Sequence, residues 1–146
     1  MVSTAAAASF VGSGRGEDAG KLLLRVTIAV LMLFHGIAKL VGGISGIMGL
    51  MERIGLPGFV AYGVFLSQIV APIFILLGLW TRPAAVLYAG TIVFATLLAH
   101  PTDYVRVTPA GGWAAELWLF YILGAVAVAL LGAGRYSLRG GKPRWD

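Results

Sequence analysis

Long apolar runs alternate with short polar segments along this chain. The runs lie at about residues 21–41, 59–79, 83–100 and 113–131. Each has roughly 18 to 21 residues, and at about 1.5 Å of rise per residue such a helix spans the roughly 30 Å of a bilayer's hydrocarbon core. The pattern predicts an all-α integral membrane protein built as a bundle of four transmembrane helices. Pro72, which lacks a backbone N–H, predicts a kink in the second helix.

The segment at residues 42–58 joins the first two runs and carries apolar residues at helical spacing. Ile44, Ile47, Met48 and Met51 belong to this stripe, and glycines flank it. Such a segment is typical of a helix that lies in the membrane interface, so we predict a short interfacial or re-entrant helix between helices 1 and 2. The alternative is a plain loop that caps the bundle.

The two ends of the chain differ from the apolar runs. Residues 1–20 are small and polar, and no basic segment precedes a long apolar core there. We therefore expect a flexible cytoplasmic tail and not a cleavable signal peptide. The four-helix domain at residues 21–138 is followed by a basic cytoplasmic tail at residues 139–146.

Composition and charge agree with a membrane protein. Of the 146 residues, 59% are hydrophobic and 12% are charged, which is too apolar for a soluble domain of this length. Most Lys and Arg residues fall on the side of the two chain ends, so the positive-inside rule predicts that both termini are cytoplasmic and that the protein spans a bacterial inner (plasma) membrane. This distribution accounts for the net charge of +5 without nucleic acid as a partner.

The chain has no cysteine. A dithiol relay, a disulfide framework and thiolate metal sites are therefore excluded. The sequence also shows no cofactor motif, so we predict no intrinsic cofactor, no metal site and no self-contained electron-transfer centre. Whether the chain acts as a subunit of an oxidoreductase stays open, and any electrons must come from a partner.

Three basic residues lie on one face of the first apolar run. At about 100° per residue, Arg25, His35 and Lys39 fall within an arc of about 80°. A charge that faces lipid costs several kcal/mol, so we expect this face to point into the bundle. The alternative for Arg25 and Lys39 is that each side chain extends to its nearest membrane surface.

Polar residues of all four runs fall at one level near the predicted outer ends, where they could form one pocket. The ligand-binding candidates are His35, Lys39, Gln68, His100, Glu116, Trp113 and Tyr62. Glu116 is acidic, and its expected partner is Lys39 or His35. Arg25, Lys39 and Glu116 are also candidates for charge pairs that only hold the helices in register.

A quinone suits the chemistry of such a pocket. His or Lys side chains would donate hydrogen bonds to its carbonyl oxygens, aromatic rings would pack on its face, and His35 and Glu116 could exchange protons with it. Two other occupants stay open. They are a haem iron between two histidines, for which His100 at a helix boundary is poorly placed, and a metal ion held by His35, His100 and Glu116.

Four short motifs, in their order and spacing, resemble the DoxX family of small four-helix membrane proteins. They are "LLLR…FHGIAKL", "GLPG", "LLGLWTRPAA" and "LLGAGRYSL", and they cover about residues 21–138. The resemblance implies kinship with the membrane subunits of a thiosulfate:quinone oxidoreductase. It also implies kinship with membrane proteins of redox complexes that contain a superoxide dismutase and a sulfurtransferase.

The resemblance also concerns single positions. Arg25, His35, Lys39 and Glu116 match the recurrent polar residues of the DoxX family by position. Gln68 stands where the family often has Glu, which removes a titratable group and weakens a proton-relay role there. Arg139, in the tail, stands where Asp is usual.

Two functions of different classes follow. The first is a membrane subunit of a quinone-linked redox complex, with the outer pocket as the quinone site. The second is a non-enzymatic membrane anchor or scaffold that recruits a soluble redox or stress-defence partner through the basic tail. The expected partners are the lipid bilayer, a second protein or another copy of this chain, and a quinone. A transporter is a third class, but four spans leave little room for alternating access without oligomerisation.

Overall fold

The computed structural model describes residues 14–141 and 145–146, and most of these residues are helical. Its helices are α1 (Arg15–Gly42), α2 (Ser45–Arg53), α3 (Gly58–Leu77), α4 (Thr81–Ala99) and α5 (Glu116–Leu131). A 3₁₀ turn at Pro101–Val105 and an isolated bridge between Val107 and Trp113 lie between α4 and α5. The described ranges contain no longer strand. We call the end where α1 begins and α3 turns into α4 the tail end, and the opposite end, which holds α2, the loop end.

Helices α1, α3 and α4 are each long and apolar enough to cross a membrane. The prediction of an all-α membrane protein is therefore confirmed. Helix α5 is apolar but has 16 residues, which gives about 24 Å of length. It begins at Glu116 and not at Trp113, because Trp113 pairs with Val107 outside the helix. A fourth crossing by α5 stays a prediction.

Helix α1 begins earlier than predicted. Residues 15–20 form its first turns, so the predicted flexible tail at residues 1–20 is wrong for this part, and residues 1–13 lie outside the described residues. The carboxylate of Glu17 lies in the first turn, where the helix dipole favours a negative charge. It also pairs with Lys21 one turn later at 2.6 Å, and both effects favour the added turns.

Helix α3 is irregular where proline was expected to disturb it. A 3₁₀ turn at Gly58–Tyr62 opens the helix, and Leu66–Val70 form a π-helical turn just before Pro72. Because Pro72 has no N–H and its ring needs space, the carbonyl of Gln68 four residues earlier has no regular helical partner. The wider turn provides that space, and such turns are frequent at functional sites.

The main core lies between α1, α3, α4 and α5. It consists of Ile28, Ala29, Met32, Ala71, Ile75, Ala85, Tyr88, Ala89, Ile92, Tyr121, Ala125 and Val128. A smaller cluster at the loop end buries Ile44, Met51 and Ala61, and it packs α2 against the start of α3. The predicted position of this segment in the membrane interface stays a prediction.

Arg25 is a buried cation at the tail end. Its side chain is 1% exposed, and its Nη2 donates a hydrogen bond of 2.6 Å to the carbonyl oxygen of Tyr136. Gly78, which ends α3 with a φ of +71°, leaves the room that the guanidinium occupies. The alternative in which Arg25 extends to the membrane surface is therefore wrong, and Arg25 instead ties α1 to the residues that follow α5.

Two residues of the predicted basic tail at residues 139–146 pack against the α3–α4 turn. Asp146 is 4% exposed, and its carboxylate accepts a hydrogen bond from the backbone N–H of Trp80. The carbonyl of Trp145 accepts one from the N–H of Arg82 at 3.1 Å. The three residues before Trp145 lie outside the described residues. This part of the tail thus closes the end of the bundle.

Candidate functional site

A cavity of about 490 Å³ lies in the loop half of the bundle and is lined by residues of all five helices. This volume is in the range of small-molecule sites, about 300 to 1,000 Å³. Most of its lining is apolar. Its polar and aromatic side chains are His35, Lys39, Gln68, Thr91, Thr96, His100, Trp118 and Tyr121.

Helix α1 contributes two basic side chains to the cavity. His35 and Lys39 lie one turn apart, so they share a face of the helix. The ring of His35 meets the ring of Tyr121 edge-on, with centroids 6.0 Å apart. His35 remains exposed, so the cavity is open beside it, whereas Lys39 is partly buried. The ammonium group of Lys39 has no hydrogen bond or ion pair to any residue that the structure describes.

Helix α3 contributes Gln68 from its π-helical turn. The amide oxygen of Gln68 is buried and accepts no hydrogen bond from the described chain. Gly36 of α1 packs directly against this turn. A Cβ on Gly36 would lie 2.6 Å from Cγ1 of Ile69 and closer still to the carbonyl oxygen of Gln68. The glycine therefore allows the close helix approach that sets the position of the Gln68 side chain.

His100 lies where α4 ends and the connection to α5 begins. Its ring stacks on that of Trp118, with centroids 5.7 Å apart and planes 23° apart. Its Nδ1 lies 3.6 Å from the carboxylate of Asp103, which also accepts a hydrogen bond of 2.9 Å from Arg106. The sequence analysis missed Asp103, although its position three residues after His100 is a signal for such a contact. Asp103 itself does not line the cavity.

Glu116 does not reach the cavity. It is exposed, and its carboxylate folds back over Gly112, where an added Cβ would meet both oxygens at 3.1 Å. Within the described ranges no ion pair joins it to Lys39 or His35, so the predicted charge pair is wrong. Its position in the first turn of α5 is favourable for a carboxylate, because the helix dipole is positive there. Nor do His35, His100 and Glu116 gather as metal ligands in this part of the chain.

Two aromatic candidates also lie outside the cavity. Tyr62 is 57% exposed and packs near Phe65. Trp113 is 39% exposed, and its Nε1 donates a hydrogen bond of 3.1 Å to the carbonyl of Tyr104. The hydroxyl of Tyr104 in turn bonds to that of Thr96, which lines the cavity. Trp113 therefore stabilises the loop next to the cavity and does not contact its contents.

The lining of the cavity carries charge of one sign. Lys39, His35 and His100 are its basic side chains, and none of the described residues in the lining is Asp or Glu. An apolar chamber with basic groups and a buried, unpaired amide oxygen is suited to a largely apolar ligand with a few oxygen atoms. The fold and this cavity define a small polytopic membrane protein with a largely apolar chamber in its loop half.

The chain belongs to the DoxX family, as the motifs in its sequence indicated. The model of this family, described as DoxX, matches residues 20–101, which is more than half of the 146 residues. The matched part contains six of the eight polar and aromatic cavity side chains, all except Trp118 and Tyr121, and Glu116 also lies beyond it.

Two bacterial relatives are similar to part of the chain. "Putative oxidoreductase CatD" of Bacillus subtilis (strain 168) is 34% identical over 80 residues, which cover 55% of this chain and 59% of the relative. "Inner membrane protein YqjF" of Escherichia coli (strain K12) is 33% identical over 84 residues, which cover 58% of this chain and 64% of the relative. The chain thus spans less than two thirds of either relative's length. No solved structure matches it.

Proposed function

We propose that this protein is a quinone-binding membrane subunit of a redox complex in the bacterial inner membrane. In this proposal the tail end faces the cytoplasm and the cavity lies toward the outer surface. The apolar helices support a multi-pass protein. The name of the Escherichia coli relative supports the inner membrane, and the name of the Bacillus subtilis relative supports a redox role.

The observation that carries the proposal is the unpaired polar chemistry of the cavity. Lys39 and Gln68 both line an apolar chamber, and neither side chain has a partner for its polar end in the described chain. A buried polar atom without a hydrogen bond is costly, so such atoms usually mark a ligand or water. A quinone ring supplies carbonyl oxygens for Lys39 and His35, and its reduced form supplies hydroxyl donors for the amide oxygen of Gln68.

The remaining side chains suit the ring and its protons. Trp118 and Tyr121 present aromatic surface to the cavity, and flat rings pack well against such surfaces. His100, beside Asp103, also lines the cavity, where its ring can form a hydrogen bond with a quinone oxygen. A bound quinone would supply the two-electron chemistry, and these residues would bind it, orient it and move protons.

The proposal includes a protein partner. The sequence offers no thiol pair or cofactor motif that could deliver electrons, so a second subunit must do so. Arg135 and Arg139 are exposed at the tail end and offer a basic surface for a soluble, acidic partner. This surface would serve equally in the alternative function as a scaffold, so the quinone site is what distinguishes the two.

Quinone binding is the direct test. The protein should be purified in nanodiscs, its lipids extracted and analysed for quinone, and decyl-ubiquinone then titrated while quenching of Trp118 fluorescence is followed. Trp118→Phe identifies the part of the quenching that comes from the cavity. Lys39→Met should weaken binding by about 10- to 100-fold, since a hydrogen bond to a charged group contributes about 1.5 to 3 kcal/mol.

Glu116→Gln is the matched control, because it removes a charge at the same end of the bundle but outside the cavity. It should leave quinone binding unchanged. The proposal fails if no quinone is extracted and if the titration is the same for the wild type, Lys39→Met and Trp118→Phe.

A further inference from the structure

The charge of the side chains that line the cavity restricts the chemical class of its ligand further. Lys39 lines a chamber whose described lining holds no carboxylate. Three carboxylates of the described chain lie near this end, and none forms an ion pair with Lys39. That of the exposed Glu52 lies next to Gly58. Asp103 contacts His100 and Arg106, and the carboxylate of Glu116 lies over Gly112.

An ammonium group in an apolar, membrane-embedded chamber needs a counter-charge. Lys39 is partly buried, which removes part of its water, and charged side chains within membrane segments are almost always paired or hydrogen-bonded for this reason. In the described part of this chain no residue provides the pair for Lys39. The amide of Gln68 and the ring of His35 line the same chamber, but neither carries a negative charge.

We propose that the cavity binds an amphiphile with a single anionic oxygen head group, and that Lys39 is the counter-ion of this head. The apolar lining from α3, α4 and α5 holds the body of the molecule, and His35, one turn from Lys39, donates a second hydrogen bond to the head. This inference rests on the proposed ligand cavity and narrows the ligand class from quinones in general to acidic ones or to other acidic amphiphiles.

Two kinds of molecule share this chemistry. An acidic hydroxyquinone carries its negative oxygen on a flat ring, and a fatty acid carries it on a chain. Both place one anionic oxygen group next to a large apolar body, which is the complement of Lys39 in an apolar chamber. The experiment therefore uses one matched pair of probes for each kind.

Binding should be measured in nanodiscs of zwitterionic lipid at neutral pH. The first pair is 2-hydroxy-3-undecyl-1,4-naphthoquinone, which is anionic, and its neutral 2-methoxy ether, both followed by quenching of Trp118. The second pair is cis-parinaric acid and its neutral methyl ester, followed by their own fluorescence. The wild type should bind the anionic member of at least one pair ten times or more tighter than the neutral member.

Three variants locate the effect at Lys39. Lys39→Met should remove the preference for the anionic probe, and Lys39→Arg should keep it, because the charge is retained. Arg53→Met is the matched control. It removes an exposed positive charge at the same end of the bundle but outside the cavity, and it should keep the preference. Lys39→Met should still bind the neutral probe, which shows that its loss of preference does not come from misfolding.

The outcomes separate this inference from the proposed function. Equal binding of the two naphthoquinones without any preference for parinaric acid overturns the anionic head group and leaves the quinone proposal standing. A preference for parinaric acid over its methyl ester, with no binding of either naphthoquinone, overturns the quinone proposal and leaves the anionic head group standing. A preference that persists in Lys39→Met, or that is lost equally in Arg53→Met, overturns the role of Lys39.

Discussion

Gly36 is the residue through which helix packing positions the candidate site, and Gly36→Ala tests this directly. The new Cβ would lie 2.6 Å from Cγ1 of Ile69 and closer to the backbone of Gln68, which is nearer than real Cβ contacts allow. Since backbone cannot move away as a flexible side chain can, α1 and the π-helical turn must separate. Overpacking of this kind costs about 1 to 3 kcal/mol, while alanine in a helix regains about 1 kcal/mol over glycine.

Gly90→Ala provides the matched control for this substitution. Gly90 lies within α4, and a Cβ there meets no atom within 4 Å, so only the gain in helix propensity remains. The difference between the two variants should therefore be about 1 to 3 kcal/mol, which is the cost of the clash alone. Denaturation by SDS in mixed micelles measures it, and the titration with decyl-ubiquinone should show weaker binding to Gly36→Ala only. Equal stability and equal binding of the two variants would refute the packing argument.

Three further substitutions separate stability from binding. Asp146→Ala removes the buried acceptor for the N–H of Trp80 and should lower the free energy of unfolding by about 1 to 3 kcal/mol without changing quinone affinity. Unchanged SDS denaturation would contradict the structural role of Asp146. Gln68→Leu should be at least as stable as the wild type, because the amide oxygen has no partner in the described chain. It should nevertheless bind quinone more weakly. A large loss of stability would instead mark Gln68 as structural. Glu116→Gln should alter neither property, and weaker quinone binding in this variant would place Glu116 in the site after all.

The helices could be predicted from the sequence because a membrane crossing demands a long apolar run, and such runs are visible in the residue order. The ends of the helices were harder to predict from the sequence, because local contacts decide where a helix begins and ends. Helix α1 gains turns from Glu17 and its pair with Lys21. Helix α5 loses turns because Trp113 is held in a bridge to Val107, and no apolar pattern encodes that contact.

The site was predicted in part for a similar reason. Sequence position indicates how deep a residue lies in the membrane, and this placed Lys39 and Gln68 at one level. It does not indicate how α5 is rotated about its axis. Trp118 and Tyr121 line the cavity, and at about 100° per residue Glu116 lies about 160° from the first and about 140° from the second around the helix. Glu116 therefore cannot share their face, although it lies near their level.

The absence of a carboxylate from the described cavity lining leads to a last prediction, Gln68→Glu. A chamber of 490 Å³ is about 10 Å across if it is treated as a sphere, so a new carboxylate would lie within about that distance of an anionic head group bound beside Lys39 and would repel it. At an effective dielectric constant of about 20, two unit charges 10 Å apart interact by about 1.7 kcal/mol, which corresponds to a factor of about 18 in affinity. Gln68→Glu should thus reduce the preference for the anionic naphthoquinone over its methyl ether by about this factor. Gln68→Leu, which adds no charge, should keep the preference. If Gln68→Glu also keeps it, the electrostatic field of Lys39 does not govern what the cavity binds, and the lysine must instead be neutralised outside it.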